Sequence, residues 1–350
     1  MSVALLAVTV PASAASPAAV AARRGPAAAS AWQASQLTNG RIHNGEFDFD
    51  DWGLTIDTAF ALANTGNRPA ALREATRAIR RNYYDAYVTA FGFSAGAAAK
   101  ALLVARVLGK NPQSFGNRNV RALVLGTIAP KRAGFERGRL RDRGGDDFSN
   151  TIVQAYGVIA LARTGQVPQT AVSYLLKQQC GRGFFRLNEE VGRPCGPSGH
   201  SPDLDSTALA IQALIAARRS GAAVPRDSVP EAGRWLASVQ RRNGSFGGGV
   251  STAGSNTNST GLAALALVAT NRDRAQHAAA EYVARLQLTS KRVAGTPARR
   301  DLGAIAYNRA GLTDAVRNGI QLAERDQFRR ATAQAIFALR PIPFTTLHAR

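Results

Sequence analysis

A helical hairpin of about 45–55 residues recurs along this chain, and this recurrence restricts the fold more than any other feature. In each copy an amphipathic segment ends in Gln, a turn with Gly and an aromatic residue follows, and a polar loop leads into a more apolar second segment. The clearest first segments are residues 171–179, 231–240 and 278–287, and their second segments are residues 203–217, 256–270 and 301–310. Weaker copies before residue 165 bring the total to about six hairpins, and a final helix is predicted near residues 327–339.

The second segments decide how the hairpins assemble. Stretches such as TALAIQALIAA (207–217) and TGLAALALVA (260–269) are apolar on nearly every side. A helix that is apolar all round must be buried all round, which an inner ring of helices provides, whereas the charged first segments suit an outer layer. We therefore predict an all-α fold, an α/α toroid of about six hairpins with inner and outer rings. An open stack of HEAT-like or TPR-like repeats is the alternative.

The two ends of the chain are predicted to lie outside the ring. An apolar run from Val3 to Val10 precedes the small residues Ala12-Ser13-Ala14, a pattern typical of a secretory cleavage site, although the usual basic residues before the run are missing. The protein is therefore expected to be secreted. The predicted boundaries are 1–14 for the signal peptide, 15–30 for an Ala/Pro-rich linker, 31–340 for the toroid and 341–350 for a C-terminal tail.

The cysteines and the charge restrict the possible partners. In an exported protein, Cys180 and Cys195 suit a disulfide that closes a short loop, and His200 alone beside them does not make a zinc site. The net charge of +21 comes almost wholly from arginines, which are scattered rather than clustered and do not alternate with aromatic residues. We expect a monomer with no cofactor and no specific nucleic acid partner, and weak contact with an anionic cell envelope.

The turns carry a resemblance to a known superfamily. Gln179 precedes Gly183-Phe184, Gln240 precedes Gly244-Ser245-Phe246, and Gln287 stands at the same place without the Gly-aromatic pair. This pattern resembles the repeat of the terpenoid cyclase/prenyltransferase superfamily, which includes squalene–hopene cyclases and bacterial secreted proteins with prenyltransferase/squalene oxidase repeats. A terminal Gln can bond exposed backbone groups of the turn, and Gly permits a positive φ. The resemblance covers residues 31–310 and is strongest over 145–290.

The resemblance also suggests a catalytic acid. Class II terpene cyclases carry an Asp-x-Asp-Asp-Thr motif whose middle Asp protonates an alkene or epoxide, and residues 203–207 read Asp-Leu-Asp-Ser-Thr. By this match Asp205 is the acid and Asp203 its neighbour, with Ser206 in place of the last Asp. A buried carboxylic acid beside another carboxylate has the raised pKa that proton donation requires. The alternative is a helix N-cap, because Asn150-Thr151, Asn258-Ser259-Thr260 and Asp57-Thr58 are expected to stand at equivalent places, each Thr matching Thr207.

A second carboxylate cluster precedes the first inner helix. Asp48-Phe49-Asp50-Asp51 matches all three aspartates of the cyclase motif, but Trp52-Gly53 follows in place of the Thr. Asp50 and Asp51 are therefore further catalytic candidates. The alternatives are a solvated loop or a helix N-terminus that favours negative charge.

Polar residues at the starts of the inner helices are expected to form a rim above an apolar Ala/Leu cavity, an arrangement suited to a ligand. The candidate ligand-binding residues are Asp57, Thr58, Asn150, Thr151, Thr207, Asn258, Thr260 and Asp301. The favoured hypothesis is a secreted toroid that binds an apolar or amphipathic small molecule in its central cavity. A class II terpene cyclase-like enzyme acting on a polyprenyl substrate and a structural cell-envelope protein are the alternatives. A zinc-dependent protein prenyltransferase is disfavoured, because the four histidines do not cluster with a free Cys.

Overall fold

A closed ring of six inner helices forms the centre of the fold. The computed structural model describes residues 17–190, 192–196 and 200–349, and the predicted signal peptide lies outside them. The inner helices, numbered along the chain with the others, are α2 (Trp52–Thr65), α4 (Ala95–Val107), α6 (Thr151–Ala162), α8 (Leu204–Arg219), α10 (Thr257–Ala269) and α14 (Leu322–Leu339). Each contacts the next, and α14 contacts α2, so the ring closes. The predicted α/α toroid is confirmed.

An outer layer surrounds this ring. Its helices are α1 (Pro17–Ser35), α3 (Pro69–Tyr83), α5 (Val120–Thr127), α7 (Gln169–Leu176), α9 (Ser228–Ser238) and α11 (Asp273–Arg285). They are amphipathic: α3 buries Leu72, Ala75 and Ile79 and turns its arginines outward, whereas α10 is buried along most of its length. Outer and inner helices alternate along the chain, so all inner helices begin at the same end of the ring. We call this end the mouth.

Shorter elements lie at the mouth of the ring. A three-stranded antiparallel sheet, which the sequence did not predict, leads into α2; its strands are β1 (Leu37–Thr38), β2 (Arg41–Asn44) and β3 (Phe49–Asp51). Its register pairs Leu37 with Ile42 and Ile42 with Asp51. Two short helices, α12 (Ser290–Val293) and α13 (Arg309–Asn318), precede α14. A π-helical turn (Tyr84–Val88) and 3₁₀ turns (Lys131–Glu136, Val250–Thr252, Pro297–Asp301) complete the connections.

The inner helices begin in a repeated way. Most have an N-cap whose side chain accepts a backbone N–H, namely Asp51, Ser94, Asn150, Asp203 and Asn256. Four residues after the cap, a side-chain oxygen often accepts the backbone N–H of the preceding turn. These bonds are Ile42 to Thr55 (2.9 Å), Leu140 to Gln154 (2.8 Å), Phe185 to Thr207 (2.9 Å) and Phe246 to Thr260 (3.0 Å). Each bond fastens a turn to the inner helix that follows it.

This geometry corrects the predicted register of the threonines. Thr55, not Thr58, is equivalent to Thr207 and Thr260, because it stands four residues after the cap. Thr58 lies one helical turn further on and accepts a 2.7 Å hydrogen bond from Gln33 of α1. Thr151 directly follows its cap and is likewise not equivalent to Thr207.

The Gln-and-Gly turns link each outer helix to the next. Gln240 donates to Gly244 O in its own turn (3.0 Å) and to Ala275 O in α11 (2.8 Å). Gln287 donates in the same way to Gly303 O (3.1 Å) and to Gly25 O in α1 (2.8 Å). This last pair joins the end of the outer ring to its beginning.

Two predictions about particular segments are wrong. Residues 301–310 do not form the sixth inner helix; they lie in a turn and the start of α13, which buries only Leu312 and Ala315 and is too polar for the ring. The apolar C-terminal half of α14 takes that place. Residues 17–30 of the predicted linker instead form most of α1, which begins at Pro17 and buries Ala29 and Ser30. Its alanines favour both helix formation and close packing.

The predicted C-terminal tail packs into one end of the ring and forms a plug there. Phe344 and Leu347 are buried, and the Phe344 ring packs against Phe60, Tyr156 and Phe337 of three inner helices. Arg163, at the end of α6, donates to the carbonyl oxygens of Phe344 and Leu347. The segment therefore closes the end of the ring opposite the mouth.

The turn glycines provide a test of the fold. Gly244 has φ of +88°, and a Cβ there would lie 2.1 Å from Ala278 O of α11. Gly244→Ala therefore adds a backbone clash to conformational strain and is expected to lower the free energy of unfolding by about 3 kcal/mol or more. Gly221, at φ +87° but with no atom within 4 Å of the position that a Cβ would take, is the control. Gly221→Ala should cost only about 1 kcal/mol in urea unfolding, and equal costs would contradict the close-packing role.

Candidate functional site

Asp205 is a carboxyl at the mouth whose pKa lies well above its usual value. It lies in the first turn of α8, whose N-cap Asp203 accepts the Ser206 N–H at 2.7 Å. Its Oδ2 accepts a 3.2 Å hydrogen bond from Ser259 Oγ of α10, and its Oδ1 is buried with no partner in the described part of the chain. Burial, and then the charge of Asp203, raises the pKa of Asp205 to about 7. A large fraction of the carboxyl is therefore protonated at neutral pH.

Asp205 borders an open cavity of about 570 Å³. One wall is formed by residues 186–188 and Glu190, within the loop that the disulfide closes, and by residues 200–202, which follow it; the Gly-rich loop at 249–252 forms the other. The predicted Cys180–Cys195 disulfide is present and ties this loop to the end of α7. The lining mixes polar groups with apolar ones; Arg186, Glu190 and His200 lie beside Ile152 and Val250. The cavity thus suits a ligand with both kinds of surface.

Beneath the mouth the ring interior holds an ion pair. Lys100 Nζ of α4 lies 2.7 Å from Asp57 of α2 and donates to Gly53 O at 3.1 Å. Burial alone would lower the pKa of Lys100, but attraction to Asp57 raises it above the usual value. Burial also raises the pKa of Tyr156 of α6, which responds to the charges of Lys100, Asp57 and Asp205. Side chains from four successive inner helices can approach one another only inside the ring, so the interior at this depth is polar rather than the expected Ala/Leu cavity.

The Asp48–Asp51 cluster is held by ion pairs. Asp50 pairs with Arg41 and with His43 (3.0 Å), and Asp51 caps α2 and pairs with Arg330 of α14. Asp48 points into solvent, with 97% of its side chain exposed. A carboxylate engaged by arginine acts as an acceptor rather than a proton donor. The structure therefore favours the helix-terminus interpretation for Asp51, whereas Asp50 is held within the sheet by Arg41 and His43.

The other candidate residues divide into two groups. Thr58, Thr207 and Thr260 are engaged in the internal hydrogen bonds described above, and Asn150 caps α6. In contrast, Thr151 Oγ1 and Asn258 Oδ1 are buried oxygens without partners in the described residues. This second group therefore has buried polar atoms left for a ligand or for water.

Asp301 does not start an inner helix, contrary to the prediction. It is buried at the end of a 3₁₀ turn, where it accepts from Trp32 Nε1 (2.9 Å) and pairs with Arg325 (2.9 Å). It therefore links α1 to α14. The error follows from the misplaced sixth inner helix.

Sequence reasoning also missed Lys100, Tyr156 and Ser259. Lys100 had a signal, because it is a single charged residue in the Ala-rich segment 95–105 and one of five lysines in the chain. Tyr156 and Ser259 had none, since nothing in their local sequence shows that they approach Asp205 or Lys100.

An aromatic cavity of about 530 Å³ lies elsewhere at the mouth. Its walls include Trp52, Tyr87, Phe91, Phe93 and Phe148. Phe184, Phe185 and Phe246 instead pack the turns and are buried. The aromatic side chains are therefore concentrated away from the Asp205 cavity.

Comparison with solved structures defines the fold. The type II terpene cyclase MstE from Scytonema, without ligand, matches with a TM-score of 0.62 and 15% identity over 92% of this chain and 98% of that one. The chain has the α/α-toroid fold of the type II terpene cyclases. A protein from Actinoplanes matches with a TM-score of 0.57 and 18% identity, over 92% of this chain and 98% of that one. An unsaturated glucuronyl hydrolase specific for heparin gives 0.54 and 12%, over 93% and 99%.

These similarities establish the architecture alone. No protein-family model matches the toroid sequence, and no curated protein matches it in sequence. Within the described residues, His, Cys, Asp and Glu form no group of three or more that could hold a metal ion. None of the described helices combines the length and apolar character needed to cross a bilayer.

The pKa of Asp205 predicts a pH-dependent stability. The value in the folded protein, about 7, lies above the 3.8 of a free side chain, so the folded state binds this proton more tightly. The resulting stabilisation is present below pH 4 and is lost as the pH rises through 7. Asp205→Asn removes the cost of burying the ionised carboxylate. The Tm of the variant should therefore rise relative to that of wild type by about 2–4 °C between pH 5 and pH 8. Exposed Asp146→Asn is the control, and parallel Tm curves for wild type and Asp205→Asn would contradict the assignment.

Proposed function

We propose that the protein binds a small amphipathic molecule at the mouth of the toroid, with the protonated Asp205 carboxyl donating a hydrogen bond to it. The observation that carries this proposal is the cavity of about 570 Å³ bordered by a buried carboxyl with one unpartnered oxygen. A neutral carboxyl can donate from one oxygen and accept at the other, which suits a hydroxyl or carbonyl group. The cavity volume falls within the range of small-molecule sites.

The proposed site lies at the mouth rather than deep in the ring. The Lys100–Asp57 pair occupies the interior below it, and the Phe344 plug fills the opposite end. A wholly apolar chain inserted there would face an ion pair, whereas the Asp205 cavity offers polar and apolar groups together. The cyclase MstE has been solved with geranylgeranyl dihydroxybenzoate, its substrate, and with merosterolic acid A, its product. These amphipathic ligands of a structural neighbour support the choice of ligand class.

Acid catalysis is the second candidate. A pKa of about 7 suits an acid that would give its proton to an alkene carbon, leaving an adjacent carbocation that closes a ring and returns a proton to a base. Aromatic faces stabilise such cations, but here the aromatic walls belong to the other mouth cavity. Because Asp205 and the aromatic walls border different cavities, we favour binding over catalysis.

We also propose that the protein is exported. The Cys180–Cys195 disulfide supports this, because disulfides persist mainly in oxidising compartments. The geometry of the mouth gives no specific support to a purely structural envelope role, because it forms a cavity that suits a small molecule.

Two Asp205 variants separate binding from catalysis. Asn keeps a hydrogen-bond donor but cannot give up a proton, whereas Leu does neither. Wild type, Asp205→Asn, Asp205→Leu and the control Asp227→Asn, at an exposed position away from the mouth cavities, are incubated with geranylgeranyl dihydroxybenzoate, geranylgeraniol and squalene. Native mass spectrometry then measures binding, and product analysis measures turnover.

For binding alone, we expect no product, affinity for an amphipathic probe retained within about threefold in Asp205→Asn, and at least a tenfold loss in Asp205→Leu, about 1.4 kcal/mol. Product formed by wild type and abolished in Asp205→Asn would establish the acid instead. Folded wild-type protein that neither binds nor converts any of the probes would contradict both candidates.

A further inference from the structure

A third cavity at the mouth, of about 750 Å³, is positively charged. It lies on the outer rim between the C-terminal end of α11, the loops around Asn243 and Ser255, and the start of α13. Arg285, Arg292 and Arg309 border it, and its lining contains no Asp or Glu. It shares no lining residue with the Asp205 cavity and is a separate site.

The arginine contacts leave this charge largely uncompensated. Arg285 Nη2 donates to Asn243 O at 2.8 Å, and Arg292 Nη1 donates to Gln287 O. Arg241, beside the cavity, donates to Ser255 Oγ at 2.6 Å. These acceptors are neutral, and the carboxylate that pairs with Arg285, Glu281, is solvent-exposed and 3.7 Å away. Guanidinium groups held near one another by neutral acceptors repel each other unless an anion joins them.

Arg309 is unfavourably placed for the dipole of its own helix. It is the first residue of α13, where the helix dipole disfavours a cation, and its side chain is exposed. Arg285, in the last turn of α11, is by contrast well placed for the dipole of its helix. An anion in the cavity would reverse the penalty at Arg309, because it would be attracted both to the guanidinium and to the N-terminal end of α13.

The remaining lining suits an organic anion. Tyr282, Asn308 and Thr313 contribute polar groups, and Leu286 and Leu312 contribute an apolar floor. Burial raises the pKa of the Tyr282 hydroxyl, so it stays protonated and able to donate. Arginine is the residue that binds phosphate oxygens in a bidentate manner.

We propose that this cavity, which we call the arginine groove, binds a phosphate-type oxyanion through Arg285, Arg292 and Arg309. The anion is either a free phosphate or phosphate ester or the head group of an anionic lipid. The groove does not depend on the Asp205 site, so either proposal can fail without the other.

The test uses calorimetric titration of the full chain with inorganic phosphate and pyrophosphate at low salt, and co-sedimentation with phosphatidylglycerol or phosphatidylcholine vesicles. Variants Arg309→Gln and Arg285→Gln remove groove charges at exposed positions. Arg274→Gln, an exposed arginine in the first turn of the same helix α11, removes the same charge elsewhere. Circular dichroism melting confirms that each variant is folded.

We expect each groove variant to weaken binding at least fivefold and Arg274→Gln to weaken it less than twofold. If soluble phosphate or pyrophosphate binds and the groove variants weaken this binding more than Arg274→Gln does, the ligand is a free anion. If the same variant pattern appears only with phosphatidylglycerol vesicles, the ligand is a lipid head group. Equal losses in all three variants would show attraction to overall charge and would overturn the proposal, as would the absence of binding to every probe.

Discussion

The close contact between each turn glycine and the next outer helix is the constraint on which the ring depends. At Gly138, Gly183, Gly244 and Gly303 the backbone has positive φ and lies so near the following outer helix that a Cβ would meet its backbone within 2.0–2.7 Å. Gln bonds such as those of Gln240 and Gln287 cross the same gaps. Because the contact at Gly303 is with Ala28 of α1, the last hairpin is fastened to the first and the inner helices are enclosed.

Closing the ring brings the N-termini of the inner helices together at the mouth. There the helix dipole and burial shift the pKa of Asp205 in opposite directions. The helix dipole favours an ionised carboxylate in the first turn by about 0.3–1 kcal/mol, less than one pKa unit. Burial and the charge of Asp203 act the other way and raise the pKa from 3.8 to about 7. Burial therefore wins, and Asp205 differs from Asp51, whose N-cap bond and Arg330 pair stabilise its charge.

Much of the fold could be predicted from the sequence because inner and outer helices differ in composition over whole turns. The apolar segments at 207–217 and 260–269 form inner helices as predicted. The sixth hairpin was misplaced because Asp301 resembles an N-cap locally, whereas its partners Trp32 and Arg325 are distant in sequence. The same limit applies to the site: the Asp205 motif was visible, but its bond to Ser259 and the Lys100–Asp57 pair arise only when the ring closes.

The central claim is that Asp205 is a neutral carboxyl at the mouth near neutral pH, and infrared difference spectroscopy tests it most directly. The spectrum of wild type minus Asp205→Asn isolates the carboxyl C=O stretch of this one side chain, which disappears on ionisation. We predict that the band is present at pH 5 and titrates away with a midpoint near pH 7. A midpoint near pH 4, the range of an ordinary aspartate, would contradict the account.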